Sequence, residues 1–561
     1  MKKKLLVLIL LPLFIFLFVN QSISTNIQDN NEVNIKILDK KIKTIIPGTS
    51  FVGVNWFDDN PVFRPLFTSK NNMSKLGEAF KKHNINLIRY PGGHNILTFF
   101  WDVNAENVQT ALSKLSCEDV WVFHKKKLKN SDKLHYKDFL IFCRKYNIKA
   151  TMQVNTQWYF DKNSNEMLPL KVYKRFPNGK KNRYSGKVDW QLVNKAAEYA
   201  AEQVKWTKDN GYLDTIKYWE LGNEEYNAYH LGAGYTGEEY AKVSAIFIQK
   251  MKQVNTDIKF ILTNAVVDPE LVKNDTKWIR IQNDWTKKIL KTPELLKYKD
   301  DIIALSNHNY PTGKTRKDKS FETFVDHVYN YKNLNINNLI RAHANISKNT
   351  KFANKDIFIN EFNAHWFDSP NAHTWAAAMA NSNFIMSCAN TPECAHMDYH
   401  VLMHLNGCYS GTNENKGFGL FHFAKDFSIP IIPYPDATAI SFLNSYLHGE
   451  ILDTISDNEF VYTTASRKNN YVYVFVLNKK NEHTVSFDLA ELPNTNYIEN
   501  KTLGLGIPID FTTMKLGAYC HNPEEIKLLN VLDNKLQVNK TGNGYKVNLP
   551  KDTLSVFVFK N

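Results

Sequence analysis

The sequence predicts an α/β fold, a (β/α)8 TIM barrel with a C-terminal β-sandwich domain. Three observations carry that prediction. Between about residues 50 and 430, short apolar runs alternate with segments of helical period, as expected for repeated β/α units sharing a parallel sheet. Distinctive polar residues follow directly after several of those runs, where a closed barrel places a common mouth. Beyond Pro435 the rhythm changes to short alternating runs punctuated by turn residues, the mark of antiparallel sheet. No Gly-rich phosphate loop follows the first run, which leaves an open doubly wound sheet without support.

At 561 residues the chain exceeds what one growing core accommodates, so a large domain plus a smaller one is expected. The first residues stand apart. Lys2, Lys3 and Lys4 precede an apolar stretch from Leu5 to Val19, followed by Asn20-Gln21-Ser22-Ile23-Ser24. This is the shape of a secretory signal peptide over residues 1–24, and the stretch is short for a membrane span. The mature chain is therefore expected to be exported (periplasmic, cell-surface or secreted) without stable membrane insertion. Loss of three lysines takes the formal charge from +14 to +11 (14 − 3). A basic chain can draw in anionic polymers, but no basic cluster is interleaved with stacking aromatics, which argues against nucleic acid as a partner.

Residues 25–49 are read as an N-terminal segment joining the sandwich, with Asn34–Ile46 as an edge strand. The barrel spans 50–449. Its candidate strands are Phe51–Val54, Leu87–Arg89, Ala150–Val154, Ile216–Trp219, Phe260–Leu262, Ile302–Leu305, Ile357–Ile359 and Met397–Leu402. Between them, Phe139, Phe142, Cys143 and Tyr146 fall at helical spacing, as do Tyr240, Val243, Phe247, Met251 and Val254. The second helix opens on Thr236-Gly237-Glu238-Glu239, a capping box. A helix over about 437–447 closes the barrel. In the sandwich, 450–561, Tyr471–Leu477 and Thr484–Phe487 read as strands, and Leu536–Val538, a Gly542-Asn543-Gly544 turn and Tyr545–Leu549 as a hairpin. Six cysteines are too few for a disulfide scaffold; Cys388 and Cys394 are the closest pair, and Cys143 lies on an apolar helix face.

Two glutamates carry the chemistry. Glu224 ends Tyr218-Trp219-Glu220-Leu221-Gly222-Asn223-Glu224, and Glu361 lies in Ile357-Phe358-Ile359-Asn360-Glu361-Phe362-Asn363. Either alone is an ordinary loop acid, but together they have the sequence shape of a glycosidase pair. Breaking a glycosidic bond needs an acid on the leaving oxygen and a carboxylate at the anomeric carbon. Arg89-Tyr90-Pro91-Gly92-Gly93 follows strand two, His308-Asn309-Tyr310 strand six, and Trp56, Trp158 and Trp366 lie near the ends of strands one, three and seven. Gly92 and Gly93 suit a tight turn. The tryptophans suit stacking on sugar faces or ordinary core packing.

This set resembles the clan A retaining glycoside hydrolases, most closely the family 51 α-L-arabinofuranosidases, with family 79 glucuronidases and heparanase-like enzymes second. The resemblance rests on Trp219–Glu224, Arg89–Gly93 and Ser306–Tyr310, and covers the barrel and, more loosely, the sandwich. It implies Glu224 as general acid/base, Glu361 as nucleophile and Asn223 as the contact to the sugar 2-hydroxyl. Arg89, Tyr310, His308, Trp366 and Trp158 complete the candidate substrate-binding set. Burial and the charge of Glu361 are expected to keep Glu224 protonated, while Arg89 and Tyr310 keep Glu361 ionised. The 137 residues between the carboxylates (361 − 224) fit three β/α units, and a retaining site predicts carboxyl groups about 5–5.5 Å apart. Glu225, adjacent to Glu224, is expected to point away.

No metal or organic cofactor is called for: the histidines near the site, His365, His373, His396, His400 and His404, are scattered, and His308 is expected to order the nucleophile or the sugar. Two segments depart from family 51. Asn360-Glu361-Phe362-Asn363 replaces Asp-Glu-Trp-Asn, and His94-Asn95 follows Pro91-Gly92-Gly93. Both touch the sugar subsite. They leave room for a β-glucuronidase or an endo-acting hydrolase on acidic polysaccharide, and outside the enzymes for a catalytically silent carbohydrate-binding protein.

Overall fold

The computed structural model describes residues 32–46, 48–56, 69–115, 134–175, 181–226, 234–266, 276–310, 336–364, 374–402, 419–422, 431–492, 494–504, 532–542 and 544–561. The signal-peptide reading of 1–24 and Trp366 lie outside the described residues.

Eight parallel strands close into a barrel in sequence order: β1 Val52–Asn55, β2 Leu87–Tyr90, β3 Lys149–Val154, β4 Ile216–Leu221, β5 Phe260–Thr263, β6 Ile302–Asn309, β7 Asp356–Phe362 and β8 Cys394–Tyr399. β8 closes on β1. Several strands are buried at every position, which explains their near-continuous apolar runs: helices cover the outside and side chains fill the inside. Tyr218, Ile261, Ala304 and Phe358 form a small apolar cluster within the barrel. β8 begins three residues before the expected Met397, after a disulfide from Cys388 to Cys394 closes the turn leading into it.

The expected helices are present. Gly237–Val254 has its capping box at Thr236 and Glu239, and Pro435–Tyr446 closes the barrel. The helix Trp375–Ala389 is buried at every residue. A helix with no polar face must be covered all round, and here the cover is barrel on one side and sheet domain on the other. Thr464 Oγ1 donates to Met386 O (3.3 Å), and Trp375 Nε1 to Asp552 O (2.8 Å). After β3 two hairpins appear that the sequence did not announce, Trp158–Asp161 with Glu166–Pro169, and Lys171–Arg175 with Lys181–Val188. Three of their strands have only four or five residues, and the eight-residue Lys181–Val188 is mostly polar, so none carries a periodic apolar signal.

Among the described residues, the expected C-terminal β-sandwich is built from one ten-stranded sheet that folds over on itself. Phe487 and Phe557 meet across its interior at 4.7 Å between ring centroids. The N-terminal strand Glu32–Thr44 is interior, not at the edge. It pairs antiparallel with Glu450–Ser456 and parallel with His483–Asp488, and its alternate residues Val33, Ile35 and Ile37 are fully buried. Among the described residues, no helix is long and apolar enough to cross a membrane.

Candidate active site

The carboxyl ends of β2, β4, β6, β7 and β8 converge on one pocket. Arg89, on β2, is fully buried and spends every guanidinium N–H. Nε and Nη2 reach the two oxygens of Glu220 at 2.5 and 3.0 Å. Nη1 reaches Asn55 Oδ1 (2.7 Å) and Glu361 Oε1 (2.9 Å), and Nη2 also reaches Asn223 Oδ1 (2.8 Å).

At the end of β4 the chain turns through two left-handed residues, Gly222 at φ +83 and Glu224 at φ +55. A non-glycine residue held there is strained, and such strain collects where a side chain must be aimed. The turn sends the neighbouring acids opposite ways. Glu225 is buried under the β3 loop, accepting from Thr156 Oγ1 (2.7 Å), Gln157 Nε2 (3.3 Å) and Thr263 Oγ1 (3.4 Å), and burial raises its pKa. Glu224 enters the mouth. His308 Nδ1 lies 2.8 Å from its Oε1, His94 Nε2 lies 3.5 Å from its Oε2, and the Tyr226 hydroxyl bonds it.

β6 pairs His308 with Glu361 on β7. Glu361 Oε2 accepts from the Tyr310 hydroxyl (2.7 Å), with His308 Nδ1 at 3.4 Å and His400 Nδ1 at 3.7 Å. Burial alone would raise the pKa of Glu361, but His308, His400 and Arg89 outweigh it and hold the carboxyl well below its ordinary range. Burial opposes charge on His308 as well, yet Glu361 and Glu224 outweigh it and raise its pKa. Burial and the Glu361 charge push the Tyr310 hydroxyl up, which keeps it a donor. Asn223 accepts from Arg89 through Oδ1, and its buried Nδ2 has no partner among the described residues, a donor free for ligand.

The structure thus brings together Glu224, Glu361, Asn223, Arg89, Tyr310 and His308. It does not present Trp158 as a platform. That ring is 2% exposed within the hydrophobic core, as is fully buried Trp56 against Tyr90, Phe139 and Phe142. Gly92 (φ +85) and Gly93 (φ +52) make the expected turn, with Gly92 N donating to Gln153 Oε1 at 2.9 Å. Sequence reasoning missed Asn55, Glu220 and His400 as parts of the site, and marked Asn360 and His94 only as departures at the sugar subsite, without a role. Strand period held the signal for two of these: Glu220 stands two residues beyond Tyr218 on β4, and Asn360 two beyond Phe358 on β7.

One ligand atom each from Glu224, His308 and Glu361 lie within 4.8 Å of one another, close enough to hold an ion. Both oxygens of Glu361 already accept from Arg89 and Tyr310. A cation there would sit against a guanidinium, so the trio suits a shared proton better than a metal.

Fold and site together define a (β/α)8-barrel protein with a facing pair of carboxylates at the ends of β4 and β7. No family model matches the chain, and no curated protein does. Solved structures match over almost its whole length. AbfB, a family 51 α-L-arabinofuranosidase from Bifidobacterium longum, aligns at TM-score 0.63 and 12% identity over 94% of this chain and 99% of that one. The α-L-arabinofuranosidase from Thermotoga maritima aligns at 0.61 and 13%, over 94% and 100%. CelM2, a bifunctional glucanase-xylanase from a metagenome library, aligns at 0.56 and 12%, over 94% and 99%. At such identities the likeness is one of fold.

Proposed function

We propose that this chain is an exported retaining glycoside hydrolase acting on poly- or oligosaccharides by double displacement, with an α-L-arabinofuranosidase-like site. The observation that carries the reading is the pair itself. Glu224 and Glu361 bring carboxylate oxygens within 4.8 Å across one pocket, matching the close spacing of retaining sites and not the about 6.5–9.5 Å of inverting ones. Protonated Glu224 gives its proton to the glycosidic oxygen as the bond to the anomeric carbon breaks, and Glu361 bonds to that carbon. The alcohol leaves. Glu224, now a carboxylate, takes a proton from water whose oxygen attacks the same carbon, and Glu361 departs as the carboxylate that Arg89, Tyr310 and His308 stabilise. The free Asn223 amide suits the sugar 2-hydroxyl.

The arabinofuranosidases among the fold neighbours support a pentofuranoside substrate. A second reading, an anionic polysaccharide, is supported by the formal net charge of +14, which draws in anionic polymers. Export is supported by the lysine-led apolar leader and by the Cys388–Cys394 disulfide, which suits an oxidising compartment. Glu361→Ala and Glu224→Ala should each abolish turnover of aryl arabinofuranoside, xyloside and glucuronide substrates while leaving the fold intact. Azide should rescue Glu361→Ala with a glycosyl azide of inverted configuration. Wild-type activity in either variant would refute the assignment, and hydrolysis by the wild type with inverted configuration, or a Glu361→Ala variant that azide does not rescue, would remove the role of Glu361 as nucleophile.

A further inference from the structure

We infer that Glu220, which the reaction as written does not use, is a positioning residue acting through Arg89 on both Asn223 and Glu361; the inference rests on the hydrolase reading. The geometry is closed on all sides. Arg89 has five N–H groups, and each has an acceptor: two on Glu220, one each on Asn55, Glu361 and Asn223. The planar fork cannot turn toward one partner without leaving another. Glu220 is itself fully buried and anchored from two further strands, by Ser306 Oγ on β6 (3.2 Å) and Asn360 Nδ2 on β7 (3.0 Å). Asn360 immediately precedes Glu361, and its carbonyl accepts from Asn55 Nδ2 at 2.6 Å. One carboxylate therefore fixes the guanidinium that orients the 2-hydroxyl contact and the nucleophile together.

Glu220 also divides the charge of Arg89. During the first step Glu361 must surrender its negative charge to the new bond, and a guanidinium facing Glu361 alone would resist that transfer. With Glu220 opposite, Arg89 orients Glu361 without gripping it as its sole counter-ion. A barrel-core ion pair that served only stability would affect melting and leave substrate discrimination unchanged.

The test compares the mature wild type with Glu220→Gln, which keeps shape and removes charge, and Glu220→Asp, which keeps charge and withdraws the carboxylate by one methylene. Substrates are 4-nitrophenyl α-L-arabinofuranoside and its 2-deoxy analogue, with circular dichroism as the check on folding. Both variants should lose about tenfold or more in kcat with a smaller change in KM, and the wild-type preference for the 2-hydroxyl substrate should shrink by about tenfold, the effect of one mispositioned hydrogen bond. Should the Gln variant not fold, the Asp variant alone decides. A folded variant with wild-type kcat and undiminished 2-hydroxyl preference overturns the inference. A wild type silent toward arabinofuranoside, xyloside and glucuronide alike overturns the hydrolase reading and this inference with it.

Discussion

Tyr310 isolates what one hydroxyl does for the nucleophile. Its hydrogen bond to Glu361 Oε2 (2.7 Å) is made to a charged group in a buried pocket, and such bonds are worth about 1.5–3 kcal/mol. Tyr310→Phe keeps the ring against His400 and removes that bond. Steady-state kinetics should show kcat down roughly 10–100-fold with KM nearly constant; an unchanged kcat would mean that Arg89 and His308 suffice. Arg89, Asn223, His308 and Tyr310 were legible in the sequence because each sits beside a turn-forming or polar neighbour that interrupts an apolar run. Glu220 and Asn360 were not, since each lies inside or at the end of a run whose other residues are apolar, and the acids that follow, Glu224 and Glu361, drew the attention. His400 carries no such signal, one of several scattered histidines along the sequence. It is the inward residue two beyond Asp398, at the mouth end.

At the scale of an element, the turn ending β4 decides which acid reaches the mouth. Gly222 adopts φ +83, and a Cβ added there would run into the Glu225 carboxyl. Both the backbone and the space therefore demand glycine. Gly222→Ala should destabilise the protein by at least about 1–3 kcal/mol, the usual cost of a side chain in that region, and should also cut activity, because Glu224 is aimed by the same turn. Urea denaturation read alongside kcat separates the two; a stable variant of normal activity would show that the turn can relax. The eight barrel strands and the capping box were legible because buried parallel strands and amphipathic helices leave strong periodic signals. The two hairpins after β3 were not, three of their strands running to only four or five residues and the fourth, Lys181–Val188, being mostly polar. The interior position of Glu32–Thr44 was equally hidden: its alternation showed a half-buried strand, but which strands flank it is set by contacts more than 400 residues away.

The wholly buried helix Trp375–Ala389 lies between barrel and sheet domain, and a buried polar chain ties it to the barrel elements beside it. Asn381, on that helix, accepts from Ala364 N (2.8 Å) just beyond β7 and donates to Asp436 Oδ1 (2.7 Å) in the first turn of Pro435–Tyr446. Asp436 is fully buried, and burial, partly offset by Asn381, pushes its pKa up to about 7. In the unfolded chain an aspartate titrates near pH ~3.9. Between about pH 4 and 7 the folded protein therefore binds a proton that the unfolded chain has released, so stability falls as pH rises through that window and stays reduced above it. Asp436→Asn keeps an acceptor for Asn381 and cannot ionise. It should raise the melting temperature relative to wild type at pH 8 and lose that advantage near pH 4, a crossover that calorimetry at the two pH values would measure. A variant displaced equally at both would show that Asp436 acts through packing and that its proton does not contribute to stability.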